Sequence, residues 1–111
     1  MTATKLHVST SALPPLGARD MNIVFGITCL SKNIVQDTLA VIKNTSIGGE
    51  LKTYTKLMEN GIQEAMLRME QSAIEIGADG IYGVNIATPH VTAGAAEIIV
   101  FGTAYSMSGI K

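Results

Sequence analysis

An α+β domain is the fold class this chain predicts: one long helix packed on an antiparallel sheet. Three observations carry that expectation. Residues 21–30 place Ile23, Phe25, Ile27 and Cys29 at alternate positions, the period of a strand. Residues 50–76 place apolar side chains at three- and four-residue steps, the period of a helix. Two more strand-like runs follow, residues 80–87 and 95–107, on either side of a connector holding Pro89 and Gly94. The chain of 111 residues is read as a single domain over 1–111, with its core at about 21–107 and residues 1–20 as an N-terminal extension.

In chain order, residues 4–9 alternate loosely and form a candidate short edge strand. Pro14, Pro15 and Gly17 make residues 11–20 a loop. The odd positions of the 21–30 strand are its coherent apolar face, so Cys29 is expected in the core beside Ile23, Phe25 and Ile27. Asn33 caps a short helix over 34–43, with Gln36 three residues on as a variant capping box.

Gly48 and Gly49 turn the chain into the long helix. Glu50 sits in its first turn, where negative charge is favoured, and Gly77 stands as the left-handed residue beyond its end. Leu51, Tyr54, Met58, Ile62, Ala65, Met69, Ala73 and Ile76 make its main stripe. Leu57, Leu67 and Ile74 lie off that stripe, which suggests contact with more than one sheet face. Glu64 and Arg68 form a favourable i,i+4 pair. Gly61, in mid-helix, costs about 0.8–1 kcal/mol relative to Ala and implies close packing on another backbone, a neighbour's included. Bulges are the simplest reading of Gly26, Gly83 and Gly102 in the strands.

In the last strand Ile98, Val100 and Ala104 point one way, and Ile99, Phe101 and Tyr105 the other. A sheet covered on one side alternates apolar and polar. Here both faces are apolar, so the second needs cover, from the short helix in part and better from a neighbouring copy. Composition agrees: charged residues are 15% of the chain against a usual ~25%.

Composition also excludes classes of function. A 47% apolar content and a net charge of -1 exclude disorder. Eight Lys plus Arg against nine Asp plus Glu give no electrostatic footprint for nucleic acid. No apolar run approaches the ~20 residues of a membrane span, and the first 15 residues do not read as a secretory signal. With one cysteine and no internal disulfide, the expected location is the cytoplasm.

The ordered set Asn33-Ile34 with Asp37, Ile47-Gly48-Gly49, Tyr54, Ala65, Ala73, Gly77-Ala78-Asp79-Gly80, Gly83 and Gly102-Thr103-Ala104 resembles the YbjQ-like family. That family is labelled "putative heavy-metal-binding", and the resemblance covers about residues 21–107. It implies a dodecin-like β-α-β-β subunit assembled into a ring-shaped homo-oligomer, a pentamer. It implies no established reaction. Two positions depart from the family's pattern: Glu50 stands where an Arg is frequent, and Asn85, Ile86 and Ala87 stand where acidic residues are frequent.

Thiolate and imidazole at short spacing hold soft and borderline metals. The candidate donors here are Cys29 and His90, with His7 no better placed, and all three are far apart in sequence. Cys29 reads as core and His90 as a solvated loop residue. A ring of one residue per subunit at a symmetry axis stays open as a site. The six methionines, Met58, Met66 and Met69 among them, read as core filling rather than copper ligands. Gly48-Gly49 reads as a turn rather than an anion site, and Asp79 as an acceptor for backbone N–H groups at the helix stop. No nucleophile elbow, Cys–His pair or paired carboxylates stand out, and with no Trp there is no flavin-stacking platform. The expected function is a non-catalytic homo-oligomer binding a small ligand or metal ion between subunits. The alternative is a structural or adaptor oligomer that recruits a protein partner without any small ligand; an enzyme is the third reading.

Overall fold

The computed structural model describes residues 6–30, 48–88 and 96–107, with side chains of 48–54 and 96 left aside. The short helix expected over 34–43 and His90 in the connector lie outside the described residues. Four strands and one helix make up the described architecture: β1 (His7–Val8), β2 (Arg19–Leu30), α1 (Gly48–Glu75), β3 (Gly80–Ala87) and β4 (Ala96–Ser106). The sheet order is β1-β3-β4-β2. Both β2 and β3 run antiparallel to β4, as expected. The sheet is nonetheless mixed, because β1 pairs with β3 in parallel, His7 opposite Gly80. After β1 the chain stays beside β3, with Ser9 N–H donating to Ile81 O and Gly83 N–H to Ser11 O.

α1 ends where the residue types dictate. Gly77 takes φ +80°, a conformation without penalty only for glycine. Its N–H donates to Ile74 O, and Ala78 N–H donates to Ala73 O at 3.0 Å. This pair of bonds is a Schellman motif, which satisfies carbonyls the helix would otherwise leave open. Asp79 then ties the turn to the end of β4, its carboxylate accepting from Met107 N–H at 2.7 Å.

α1 packs over β2 and β4. Ala65, Met69 and Ala73 meet Val24, Leu30, Ile81, Ile98, Val100 and Ala104 in one core. The even positions of β2 face the helix; Val24, Gly26 and Leu30 are buried there. This corrects the expected orientation of β2. Ile23, Phe25, Ile27 and Cys29 lie on the opposite side of the sheet, and Cys29 is exposed rather than core. The physical reason is close approach. A Cβ on Gly26 would meet the carbonyl oxygen of Ala65 and stand 2.6 Å from Met69 N. Only the face bearing glycine lets the helix backbone come so near. Gly26 therefore marks a helix crossing, not a bulge, and its register opposite Val100 is unbroken.

Gly61 is corrected in the same way. It packs against this chain's own Ile98 and Leu30 side chains, with no neighbour needed. Gly83 does sit at a bulge, with φ +65° where the β3–β4 register shifts between Tyr82 and Asn85.

Candidate functional site

The uncovered face of the sheet is the feature that sets this protomer apart. β2 contributes Ile23, Phe25 and Ile27, which are 71%, 55% and 37% exposed. Paired with them across β4 are Thr103, Phe101 and Ile99, all half-buried. The even residues of β4, Ile98 and Val100, are fully buried under α1. Strand β4 is thus apolar on both sides, and the described residues of one protomer cover only one of them. A second apolar patch lies on the far side of the molecule. Leu67 and Ile74, seven residues apart and so on one helix face, are 61% and 50% exposed. They project from the side of α1 opposite Ala65, Met69 and Ala73. Among the described residues Leu67 and Ile74 therefore meet no second sheet face, whereas Leu57 packs on the core.

Polar groups gather at two places on the sheet. At one end of the open face Cys29 pairs with Glu97 across the β2–β4 ladder. The Cys29 thiol donates to Glu97 Oε2 at 3.5 Å. That hydrogen bond, with partial desolvation and the carboxylate's charge, raises the thiol above its ordinary 9.0, against a smaller opposing pull from Arg68. Arg68 itself bridges α1 and β2, its Nη1 donating to Ile27 O at 2.6 Å. Its Nε meets Glu64 Oε2 at 3.3 Å, the i,i+4 pair expected from the helix period.

Toward the other end, the Tyr82 hydroxyl donates to Asp20 Oδ1 at 2.9 Å. This bond holds the phenol above its ordinary 10.0. Beside Tyr82 lies a shallow recess of about 330 Å³, lined by His7, Ser9 and Ser11 among others. Its hydroxyls serve local turns: Ser9 Oγ accepts from Ser11 N–H, and Ser11 Oγ accepts from Leu13 N–H.

These positions decide how a metal ion fits. A soft or borderline metal needs three or four converging donors. Among the described residues no group of three or more His, Cys, Asp or Glu side chains is placed to hold one. Cys29 and Glu97 supply two donors, one of them a thiol held in its protonated form. His7 and Cys29 stand on β1 and β2, the two ends of the sheet order, and are not brought together. The described part of one protomer does not fit a heavy-metal site on its own. Sequence reasoning missed Glu97, Asp20 and Tyr82 as polar partners. Their pairing depends on the β2–β4–β3 register, and β2 and β4 are too far apart in sequence for a turn to reveal it. Among the described residues no helix is long and apolar enough to cross a membrane.

Comparison with known proteins places the chain. The profile of a family, YbjQ_1, described as "Putative heavy-metal-binding", matches residues 7–108. A UPF0145 protein of Acinetobacter baylyi is 43% identical over 86 residues, covering 78% of this chain and 79% of that one. One from Archaeoglobus fulgidus is 39% identical over 87 residues, covering 78% and 80%. One from Clostridium novyi is 38% identical over 97 residues, covering 87% and 93%. Among solved structures, a protein of unknown function from Pediococcus pentosaceus, of the DUF74 family, superposes with a TM-score of 0.63. At 14% identity, over 91% of this chain and 96% of that one, it shares the fold. With the order of strands and helix, the glycine-marked turns and these relatives in agreement, the chain belongs to the YbjQ-like family of UPF0145 proteins.

Proposed function

We propose that this protein is a non-catalytic homo-oligomer, a closed ring of identical subunits, that holds a small ligand or metal ion at the junctions between copies. The observation that carries this reading is the open apolar sheet face of Ile23, Phe25, Ile27, Ile99 and Phe101. Contiguous apolar surface of this kind is covered in a working protein. A second copy is the fitting occupant, because the same subunit carries Leu67 and Ile74 on its opposite side. Two different patches on opposite sides pair head to tail, and head-to-tail contacts close into a ring when the rotation between neighbours allows it. The low share of charged residues supports the same reading. The family resemblance favours five subunits.

Glu97 and Asp20 raise the Cys29 thiol and the Tyr82 phenol above their ordinary 9.0 and 10.0, so neither is activated as a nucleophile or base. The family description favours a metal ion as ligand. One chain would offer it Cys29 and Glu97, and the further donors would come from the next subunit.

Native mass spectrometry of protein purified without chelator reads the subunit count and any retained metal or small molecule together. The expected result is one closed species with retained ligand. Sedimentation of Phe101→Asp and of Leu67→Asp should each give smaller species. Mixing the two variants should restore a dimer, since each keeps the patch the other has lost. A parent protein that sediments as lone protomers at high concentration overturns the ring. A ring that retains nothing overturns the ligand and favours a protein-recruiting scaffold.

A further inference from the structure

We infer that Arg68 closes the outer edge of β2 against the addition of another strand. Among the described strands β2 stands at one end of the order and is 12 residues long. In an antiparallel pair, successive residues turn their backbone groups alternately toward and away from the partner strand. The Ile27 carbonyl accepts from α1, through Arg68 Nη1 at 2.6 Å, so Ile27 belongs to the set facing away from β4. Phe25 and Cys29 share its parity within the unbroken register from Ile23 to Leu30. A long strand with apolar side chains and outward-facing backbone groups is a template for an extended segment of another copy.

Arg68 stands across that edge at Ile27, in the C-terminal half of the strand. Its guanidinium occupies the Ile27 carbonyl with a short charge-assisted bond, and Glu64 orients it through Nε at 3.3 Å. An incoming strand would have to displace the guanidinium and pass Glu64 before its own amides could reach β2. Copies of the chain are thereby left to meet through the faces of the subunit rather than through this edge. This role is independent of the ring, since an unguarded edge would recruit strands from protomers and assemblies alike.

The test is Arg68→Met, which keeps an apolar stem and removes the cation. Association beyond the species the parent forms should rise several-fold with concentration, read by sedimentation and by a cross-strand reflection near 4.7 Å. Adding Cys29→Pro should suppress it. The Cys29 N–H faces away from β4, so proline there spares the ladder and blocks a new one. An Arg68→Met protein that sediments like the parent at every concentration overturns the inference. So does association that Cys29→Pro leaves unchanged, since that would trace to lost stability. Should the methionine variant fail to fold, Arg68→Lys takes its place. A single ammonium cannot serve Glu64 and Ile27 as the fork does, so a smaller rise is expected and the same null result refutes. Because the measurement is made relative to the parent's own species, a parent found to be monomeric refutes the ring and leaves this test intact.

Discussion

One methyl group at Gly26 would test how α1 lies on the sheet. A Cβ there would run into the carbonyl oxygen of Ala65 and stand 2.6 Å from Met69 N and 2.9 Å from Arg68 Cβ. None of these atoms can rotate aside, because two belong to the helix backbone and the third is bonded to it. Ordinary contact begins at 3.4 Å, so clearing Met69 N from 2.6 Å lifts the helix by at least about 0.8 Å, and the nearer Ala65 oxygen demands more. A gap of ~0.5–1 Å forfeits a quarter to a half of the dispersion well for each atom pair it separates. The gap would open beneath Ala65, Met69 and Ala73, all fully buried. Overpacking costs ~1–3 kcal/mol, and rigid obstacles put this site in the upper half of that range. Alanine returns ~0.5–1 kcal/mol of strand entropy that glycine had forfeited. The balance for Gly26→Ala is a loss of about 2 kcal/mol. For a domain this size that lowers the Tm by roughly 8 °C. Urea and thermal unfolding, followed by circular dichroism at matched protein concentration, measure it. A Gly26→Ala protein as stable as the parent would mean that the helix does not cross β2 at this residue.

The remaining predictions draw on other contacts. The Cys29 thiol should react slowly with a thiol reagent in the assembled parent and quickly in Phe101→Asp protomers; equal rates would show that the face is never covered. Glu97→Gln should bring the thiol back toward 9.0 and move the pH–rate profile of labelling to lower pH, and an unmoved profile would discount the Sγ–carboxylate bond. The Tyr82–Asp20 bond raises a folded-state pKa, so its contribution is intact below 10.0 and is lost as pH climbs through the raised value. The parent's Tm should therefore fall more steeply than that of Tyr82→Phe above that pH, and parallel curves would refute it. Gly61→Leu should destabilise by ~1–3 kcal/mol, because a Cβ alone already stands 2.8 Å from Ile98 Cδ1; a higher Tm would show that the gain in helix propensity wins.

Much of this fold was legible because local chemistry and tertiary demand agree. The helix stop is the clearest instance. Gly77 could be placed from its position after the last apolar residue, and the chain does take φ +80° there. Asp79 was expected to accept backbone N–H groups within the helix stop; its carboxylate accepts instead from Met107, just beyond β4. The limits of β3 and β4 followed from their apolar runs, to within a residue. The parallel pairing of β1 could not be read, because two residues carry no period and their partner lies some seventy positions away. The Cys29–Glu97 pair was hidden for the same reason. It exists only through the β2–β4 register, and no short hairpin loop fixes that register.

The orientation of β2 shows why periodicity alone is an incomplete guide. Alternation separates two faces of a strand but does not say which one the helix covers. Ile23, Phe25 and Ile27 make the greasier face, and burial ranked by side-chain type would send it inward. The helix instead lies on Val24, Gly26, Thr28 and Leu30, where one residue without a Cβ lets two backbones meet. Small residues facing small residues, Gly26 under Ala65, give close packing that large apolar side chains would hold apart. The large side chains are thereby left for the other face, where nothing in the described chain covers them. The misread strand and the uncovered surface have one cause: the inner contact of this protomer was built from small residues, and its bulk was kept for an outer one.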